Sequence, residues 1–477
     1  MSHDVSANTD ERVGVGHLVR ELGTWEVFAA GVGLVVASTT LVSDFVGWFT
    51  LSSAFWMALL IAFVVNLLLG LSVAELSTTY PKAGAIYEYG MDVVPRRQPA
   101  IFVGIFLGFT FWGMFAFAGA AEIAAGSFGL QALVNQDSGL NWFVLIMTVA
   151  AIVPNLIGIR EAAWVTGFLL IGMLGIRWFF GLAGFFGFSD TGSWSADNLD
   201  AGVGVFDLSN VMSMGLVLAF WSFVGIEFVA PLAEEVKDPP RNLPRGIIYG
   251  LVVIFATSLL MGFGVSGTMN SAEWQGIALG PAGCDGGCPQ LGVGEAMFGG
   301  TGRGLMALAS VSATLGSMII AYAALPRIIY GIARDGRFFG PLSRVFAYVH
   351  PKYNTPWPAI LLTGVFYTFF AMISSDVVDW VYSGAYVWIL LYAVYHVLVV
   401  AGRYLHPDQP RPFRLQIWVP IVGFVLTIVT LYYAFKGVHG TFGPRALIVI
   451  GGALVAAAIC YFLQSAEARR EVRRVSV

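Results

Sequence analysis

Residues 25–45 read WEVFAAGVGLVVASTTLVSDF, and this stretch decides the kind of fold. It is almost entirely apolar and long enough for a helix to cross the roughly 30 Å hydrocarbon core of a bilayer, which takes about 20 residues. Near its centre, Gly31 and Gly33 are followed by the hydroxyl cluster Ser38, Thr39 and Thr40. The pattern predicts a membrane helix that is broken near its middle, with Gly31 and Gly33 at the break.

The rest of the 477-residue chain has the same character, with 57% apolar and only 11% charged residues. A soluble domain carries about 25% charged residues, so a soluble enzyme, a nucleic-acid-binding protein and a disordered chain are excluded. The apolar runs do not alternate in polarity as the strands of a membrane β-barrel do. The sequence therefore predicts an all-α membrane protein with 12 transmembrane helices. They lie at about 25–45, 52–76, 100–125, 141–159, 162–188, 208–236, 246–269, 304–333, 357–374, 377–401, 415–435 and 446–464.

The Lys and Arg residues indicate the orientation, because loops on the cytoplasmic side carry an excess of them. With the amino terminus inside, only Arg303, Lys436 and Arg445 of the 25 Lys and Arg residues fall outside, and Arg177 lies within a span. The pattern predicts a multi-pass protein of the cytoplasmic membrane. Both tails, 1–24 and 465–477, are then cytoplasmic.

A second interruption occurs in the sixth span, where residues 220–227 read FWSFVGIE and place Gly225 and Glu227 at mid-depth. Spans 1 and 6 correspond if residues 25–188 and 208–401 are two halves of five helices, followed by two more helices in 415–464. Matching glycine-interrupted helices in two halves indicate a transporter site between inverted repeats.

Such a site has a predictable chemistry. A helix broken inside the bilayer leaves free N–H groups at one new end and free C=O groups at the other, suited to a carboxylate and an ammonium respectively. A small zwitterion or an amine fits both ends. The alternative is structural: Gly31 and Gly33 allow close helix packing, and Ser38, Thr39 and Thr40 bond to their own helix.

Glu227 is the first candidate for proton coupling, because an ionisable residue within a span is a functional candidate by default. The alternative is a neutral structural carboxyl group. Arg177 in span 5 is a candidate partner of Glu227, or lines the pathway, or reaches outward to the interface. Glu122 in span 3 and His396 in span 10 are weaker candidates, and we expect both to be satisfied structural groups.

The cysteines predict at most one disulfide that closes a short loop. Cys284 and Cys288 lie in a glycine-rich loop expected on the outer side, where disulfides persist, so a disulfide is favoured over two free thiols. Cys460 is expected to be inert packing. No metal or cofactor site is expected, and no Walker A motif occurs in the sequence.

Three blocks of sequence carry a family resemblance. Residues 73–87 (VAELSTTYPKAGAIY), 233–245 (AEEVKDPPRNLPR) and 327–356, with ARDG at 333–336 and HPKYNTP at 350–356, resemble the cytoplasmic segments after helices 2, 6 and 8 of amino acid–polyamine–organocation (APC) superfamily permeases. The resemblance covers all twelve spans. It implies a five-plus-five inverted-repeat (LeuT-type) bundle with two C-terminal helices, and alternating-access transport of amino acids or related amines.

The resemblance also implies a substrate site. The substrate carboxylate would bind the broken first helix at Val36, Ala37, Ser38 and Thr39. The substrate amino group would bind the broken sixth helix at Phe220, Trp221 and Val224, with Ser222 and Gly225 in the same string. Residues 221–227 are similar to the string of arginine/agmatine antiporters, which implies that Trp221 covers the substrate and that Glu227 takes part in the proton response.

Some positions depart from the family pattern. Ala37 and Thr39 replace two glycines of helix 1, and residues 32–36 are similar to those of ethanolamine permeases, whose substrate has no carboxylate. Ala321 replaces a tryptophan of the antiporters, and Met173 replaces a lysine of some proton-coupled relatives.

From the paired interruptions, Glu227 and the family resemblance, we expect a secondary transporter of amino acids, coupled to protons rather than sodium or exchanging its substrates. The alternative is a permease for a carboxylate-free amine resembling ethanolamine or a polyamine.

Other classes fit the sequence less well. A channel needs a continuous polar pore, for which the spans supply too few polar residues. An enzyme needs a nucleophile–base pair or a metal cluster, and the spans contain neither. The partners are therefore a small molecule, a coupling ion and the lipid bilayer, with no nucleic acid. The oligomeric state stays open.

Overall fold

The computed structural model describes residues 18–136, 139–373, 377–437 and 443–464. Over these ranges the chain is helical, and its β pairing is an isolated bridge between Leu22 and Val236. The helices are α1 Thr24–Val35, α2 Ser38–Leu51, α3 Phe55–Thr79, α4 Ile86–Val93, α5 Arg97–Val134, α6 Leu140–Ile157, α7 Ile159–Phe185, α8 Leu208–Asn210, α9 Leu216–Trp221, α10 Pro239–Ser266, α11 Ser271–Ala278, α12 Pro289–Arg334, α13 Ser343–Phe346, α14 Trp357–Ile373, α15 Val377–Leu405, α16 Trp418–Gly437 and α17 Gly443–Phe462.

Within the described ranges, nine helical segments are long and apolar enough to cross a membrane, and three shorter apolar helices accompany them. The shorter ones are Thr24–Val35, Trp357–Ile373 and Ala446–Phe462. Large apolar side chains such as Phe168, Val365 and Phe369 are exposed on the outside of the bundle. An outer surface of this kind suits lipid rather than water, and the all-helical fold agrees with the prediction of a membrane protein.

The first predicted span is two helices that meet inside the bundle. α1 ends at Val35, Val36 and Ala37 leave the helical conformation, and α2 begins at Ser38. The prediction that the helix breaks at Gly31 and Gly33 is wrong, because both glycines lie within α1. Their role is close packing: a Cβ atom at Gly31 would lie 2.9 Å from the side chain of Ile226, and one at Gly33 would overlap Thr166.

The sixth predicted span is interrupted too. α8 continues through a π-helical turn at Val211–Gly215 into α9, which ends at Trp221, and a 3₁₀ turn follows at Ile226–Val229. Gly225 lies between them with φ +119°, a conformation that L-residues rarely adopt. A Cβ atom at Gly225 would overlap Leu34 of α1, so glycine also permits the close approach of the two interruptions.

The three family-like blocks meet at one end of the bundle, which we call the α4 end. There the backbone N–H of Ala83 donates to Glu234 at 2.8 Å, and Arg334 pairs with the same carboxylate at 3.1 Å. Arg327 forms a buried ion pair with Glu235 at 2.9 Å. These contacts join residues that are about 150 and 100 positions apart in the sequence, and together they close this end of the bundle. Elsewhere, Cys284 and Cys288 form a disulfide, and Cys460 is free and buried.

Candidate functional site

A small buried cavity lies between the two interrupted helices, with a volume of about 30 Å³. Such a volume holds one or two water molecules, whereas pockets for small-molecule ligands usually measure about 300–1,000 Å³. A ligand the size of an amino acid therefore needs the surrounding helices to move apart. The cavity is lined by Leu34, Val35, Ala37, Thr39, Thr40, Phe115, Ala118, Glu122, Trp221, Val224, Ser317 and Trp388.

The predicted substrate-contacting residues divide into two groups. Ala37, Thr39, Trp221 and Val224 line the cavity. The others are buried nearby but do not line it: Val36, Ser38, Phe220, Ser222 and Gly225. They shape the two interruptions instead.

Trp221 connects the two interruptions across the cavity. Its indole N–H donates to the hydroxyl of Thr39 at 3.2 Å, and its ring packs edge-on against Trp388 with 5.7 Å between centroids. Trp221 is 4% exposed and is the last residue of α9, and its bond to Thr39 reaches α2. Its side chain is therefore attached to both interrupted helices. Trp221 thus lines the cavity and bonds to the opposite interruption.

The backbone groups at the interruptions are largely satisfied within the protein. At the end of α1, the hydroxyl of Thr40 donates to the carbonyl oxygen of Val35 at 2.5 Å. At the end of α9, the carbonyls of Phe220 and Trp221 accept the N–H groups of Phe223 and Val224 at 3.1 and 3.2 Å. Each of these carbonyls retains a second lone pair for a further donor.

The first backbone N–H groups of α2 have no acceptor within their own helix, and they donate to a carboxylate from another helix. Glu122 of α5 accepts the N–H of Ser38 at 2.8 Å and that of Thr39 at 2.9 Å, one on each oxygen. The hydroxyls of Thr314 and Ser317 of α12 also donate to it, at 2.7 and 3.1 Å. The carboxylate of Glu122 is thus satisfied by protein donors, as expected, but Glu122 also lines the cavity, a position that the sequence analysis did not predict. Its presence within a span, the rule that selected Glu227, is the signal that could have found it.

Glu227 lies beside the cavity rather than in its lining. Its carboxylate accepts the N–H of Gly225 at 3.1 Å, the hydroxyl of Tyr392 at 2.9 Å and the indole N–H of Trp388. It therefore braces the turn at Gly225 and connects that turn to α15. Trp388 both donates to Glu227 and lines the cavity, so it connects the two.

Arg177 does not pair with Glu227, and it does not reach outward. It is 1% exposed and forms a buried ion pair with Asp44 of α2. The same carboxylate accepts the hydroxyls of Ser222 at 2.6 Å and Ser258 at 2.9 Å. These contacts join α2, α7, α10 and the residues after α9. Asp44 was not selected from the sequence, although it too is an ionisable residue within a predicted span.

The aromatic part of the site was also missed. Phe115 and Trp388 line the cavity, and their rings lie 6.0 Å apart. Phe and Trp are common in apolar spans, so no sequence signal separates these two from the aromatic residues that face lipid. His396 is buried with its Nδ1 atom 3.0 Å from the hydroxyl of Ser72, as expected of a structural group. Where the chain is described, no cluster of three or more His, Cys, Asp or Glu residues is placed to hold a metal ion.

A second cavity, of about 270 Å³, lies at the α4 end and is lined by charged residues. There Glu88 pairs with Arg334 at 3.1 Å and with Lys82 at 3.4 Å. Burial and the neighbouring carboxylate of Asp335 raise the pKa of Glu88 to about 7, although Lys82 and Arg334 act to lower it. Glu88 is therefore able to change its charge near neutral pH at the point where several segments close the bundle.

Comparison with known proteins identifies relatives of this chain. The family model described as amino acid permease matches residues 22–463. The branched-chain amino acid permease BcaP of Bacillus subtilis is 23% identical over 441 residues, which cover 87% of each chain. The methylthioribose transporter of the same organism is 22% identical over 486 residues, 94% of each chain. Cationic amino acid transporter 2, vacuolar, of Arabidopsis thaliana is 28% identical over 432 residues, covering 86% of this chain and 63% of its own.

These matches confirm the family resemblance carried by the three sequence blocks. They extend over nearly the whole chain, and the relatives are permeases and transporters. The helices long enough to cross a membrane agree with a multi-pass membrane protein. The chain therefore belongs to the amino acid permease family of the APC superfamily.

Proposed function

We propose that this protein is a secondary active transporter that moves amino acids across the cytoplasmic membrane by alternating access. The observation that carries the proposal is the buried cavity between two interrupted helices, α1–α2 and the helix that ends at Trp221. Interrupted helices are tolerated in a bilayer where they line a cavity or a binding site. We propose that the first ten spans form a five-plus-five inverted repeat and that both termini are cytoplasmic.

The cavity supports a carrier rather than a channel. It is small and lined mostly by apolar side chains, whereas a channel needs a continuous polar pathway. A carrier can bind its substrate in a closed site and open to one side at a time as one group of helices rocks against the other. The function requires no covalent chemistry from the protein, so we propose no catalytic activity.

The coupling ion is proposed to be a proton rather than sodium, with Glu227 in the proton response; exchange of substrates is the other mode. Glu227 is fully buried and bonded to Gly225 at the second interruption and to Tyr392 of α15. A change in its protonation would alter three hydrogen bonds, two of which hold Trp388 and Tyr392 of α15. These contacts offer a path from proton binding to the shape of the cavity.

A carboxylate-free amine is the second candidate substrate, and one observation favours it. The N–H groups of Ser38 and Thr39, which the family resemblance assigns to the substrate carboxylate, are already bound by Glu122. The named relatives do not decide between the two, because their names refer to branched-chain amino acids, cationic amino acids and methylthioribose.

Uptake by the purified protein in proteoliposomes tests the proposal. The assay uses a labelled panel of amino acids and amines, with and without a pH gradient, and protein-free liposomes as the control. A carrier should give saturable uptake that is stimulated by the same substrate on the opposite side. Ohmic flux that does not saturate would contradict a carrier, and the absence of uptake for the whole panel would contradict the proposed function.

A further inference from the structure

We infer that Glu122 is a specificity-determining residue. It supplies the carboxylate that the interrupted first helix binds. It therefore selects substrates that carry an ammonium group without a carboxylate beside it. The inference rests on the proposed carrier function of the same cavity, and for its substrate it selects the second candidate, a carboxylate-free amine, in place of an amino acid.

The first argument is the occupancy of the backbone donors. The start of a helix presents free N–H groups with a partial positive charge, which bind anions. Here both oxygens of Glu122 are used, one on Ser38 and one on Thr39, at 2.8 and 2.9 Å. Thr314 and Ser317 hold the same carboxylate from α12. A substrate carboxylate would have to displace Glu122 from four hydrogen bonds before it reached these donors.

The second argument is the charge of the cavity. Its lining includes Glu122, and no Lys or Arg belongs to the lining among the residues that the structure describes. A second carboxylate would therefore meet Glu122 without a compensating cation, and like charges at short distance in a poorly hydrated site are unfavourable. An ammonium group meets the opposite condition, because Glu122 is its counter-charge.

The third argument is the aromatic lining. Phe115, Trp221 and Trp388 bound the cavity together with Glu122. The faces of aromatic rings attract cations, and Trp does so most strongly. The remaining lining consists of five apolar residues and three that carry a hydroxyl group: Leu34, Val35, Ala37, Ala118 and Val224, and Thr39, Thr40 and Ser317. The combination of one glutamate, aromatic rings and short side chains, some with hydroxyl groups, is suited to the ammonium end of a small organic amine.

The test compares each amino acid with its own decarboxylation product, so that the pair differs only in the carboxylate. We would measure how serine and ethanolamine, leucine and 3-methylbutylamine, and arginine and agmatine compete for uptake of the best labelled substrate in proteoliposomes. For the wild-type protein, the amine of the best-bound pair should compete at a concentration roughly 10- to 100-fold lower than its amino acid, the range expected for hydrogen bonds to a charged group. Stronger competition by the amino acid would overturn the inference.

Variants of Glu122 test the residue itself. Glu122→Ala frees the two N–H groups and removes the negative charge, so the preference for the amine should fall about tenfold or more. Glu122→Gln keeps the shape of the side chain but removes the charge and one of the two acceptor oxygens, so it tests the charge if the alanine variant does not fold. Ser127→Ala is the matched control, because Ser127 is buried on the same helix and donates only to the carbonyl of Ile123, at 2.7 Å. Its amine preference should stay at the wild-type value.

The outcomes separate the two proposals. Saturable uptake with an unchanged amine preference in both Glu122 variants would overturn the role of Glu122 and leave the transport function intact. Absence of saturable uptake for every member of the panel would overturn the transport function on which the inference rests.

Discussion

Replacing Asp44 with alanine should destabilise the protein strongly, because it leaves the guanidinium group of Arg177 buried without its counter-charge. Both side chains are at most 1% exposed. Loss of one partner of a buried ion pair costs about 3–5 kcal/mol. Ser258 also loses its acceptor, which adds about 1 kcal/mol, whereas Ser222 keeps a second acceptor in the carbonyl of Leu218. The expected loss of unfolding free energy is therefore about 4–6 kcal/mol.

The double variant Asp44→Leu with Arg177→Met separates the pair from its surroundings. Replacing both members of a buried ion pair by apolar residues is often neutral or stabilising, so this variant should be far more stable than Asp44→Ala. Arg177→Met alone should cost less than Asp44→Ala, because two hydroxyl donors still satisfy Asp44. Unfolding in mixed micelles titrated with SDS, followed by tryptophan fluorescence, gives the free energies.

The matched control is the exposed ion pair of Arg303 and Glu295, whose side chains are 34% and 51% exposed at a distance of 2.9 Å. Glu295→Ala should change the stability by less than about 1 kcal/mol. The reasoning would be refuted if Asp44→Ala cost no more than Glu295→Ala, or if the double variant were no more stable than Asp44→Ala.

Three further predictions concern transport and pH. Trp221→Ala should weaken the apparent substrate affinity about tenfold through lost ring contact, measured as the half-saturating concentration of uptake; an unchanged value would place Trp221 outside the binding site. Glu227→Gln should preserve substrate binding but flatten the pH dependence of transport; an unchanged pH profile would exclude Glu227 from coupling. The raised pKa of Glu88 means that the folded protein binds the proton of this carboxyl group more tightly than the unfolded chain does. The protonated carboxyl group therefore stabilises the fold fully below about pH 4.5, and this stabilisation is lost as the pH rises through about 7. Glu88→Gln should reduce the fall in stability between pH 5 and 8 by at most about 3 kcal/mol, measured by SDS titration at each pH; an identical slope would refute the assignment.

The sequence determined the class of protein and the approximate place of its site. The length of each apolar run reflects the thickness of the bilayer, which is a local requirement that each segment shows by itself. The three blocks at 73–87, 233–245 and 327–356 identified the family because each resembles a family segment over many consecutive residues. The glycine at 225 marked an interruption because only glycine adopts the required backbone conformation easily.

The residue types alone did not show the position of the first interruption. Gly31 and Gly33 permit both a break and close helix packing, and the sequence does not show which neighbour lies against them. In the structure Ile226 and Thr166 lie there, so both glycines serve packing. The actual break lies at Val36 and Ala37, where the family resemblance places the broken first helix, and no glycine marks it.

Only the tertiary structure decided which charged groups meet. Glu122 is bound to Ser38 and Thr39, more than 80 positions earlier, and Arg177 is paired with Asp44, 133 positions earlier. A single sequence reveals that a carboxylate or a guanidinium lies within a span, because its composition departs from the apolar background. It does not reveal the partner, because partners on different helices are brought together by the packing of whole helices, and that packing depends on contacts spread along their entire length.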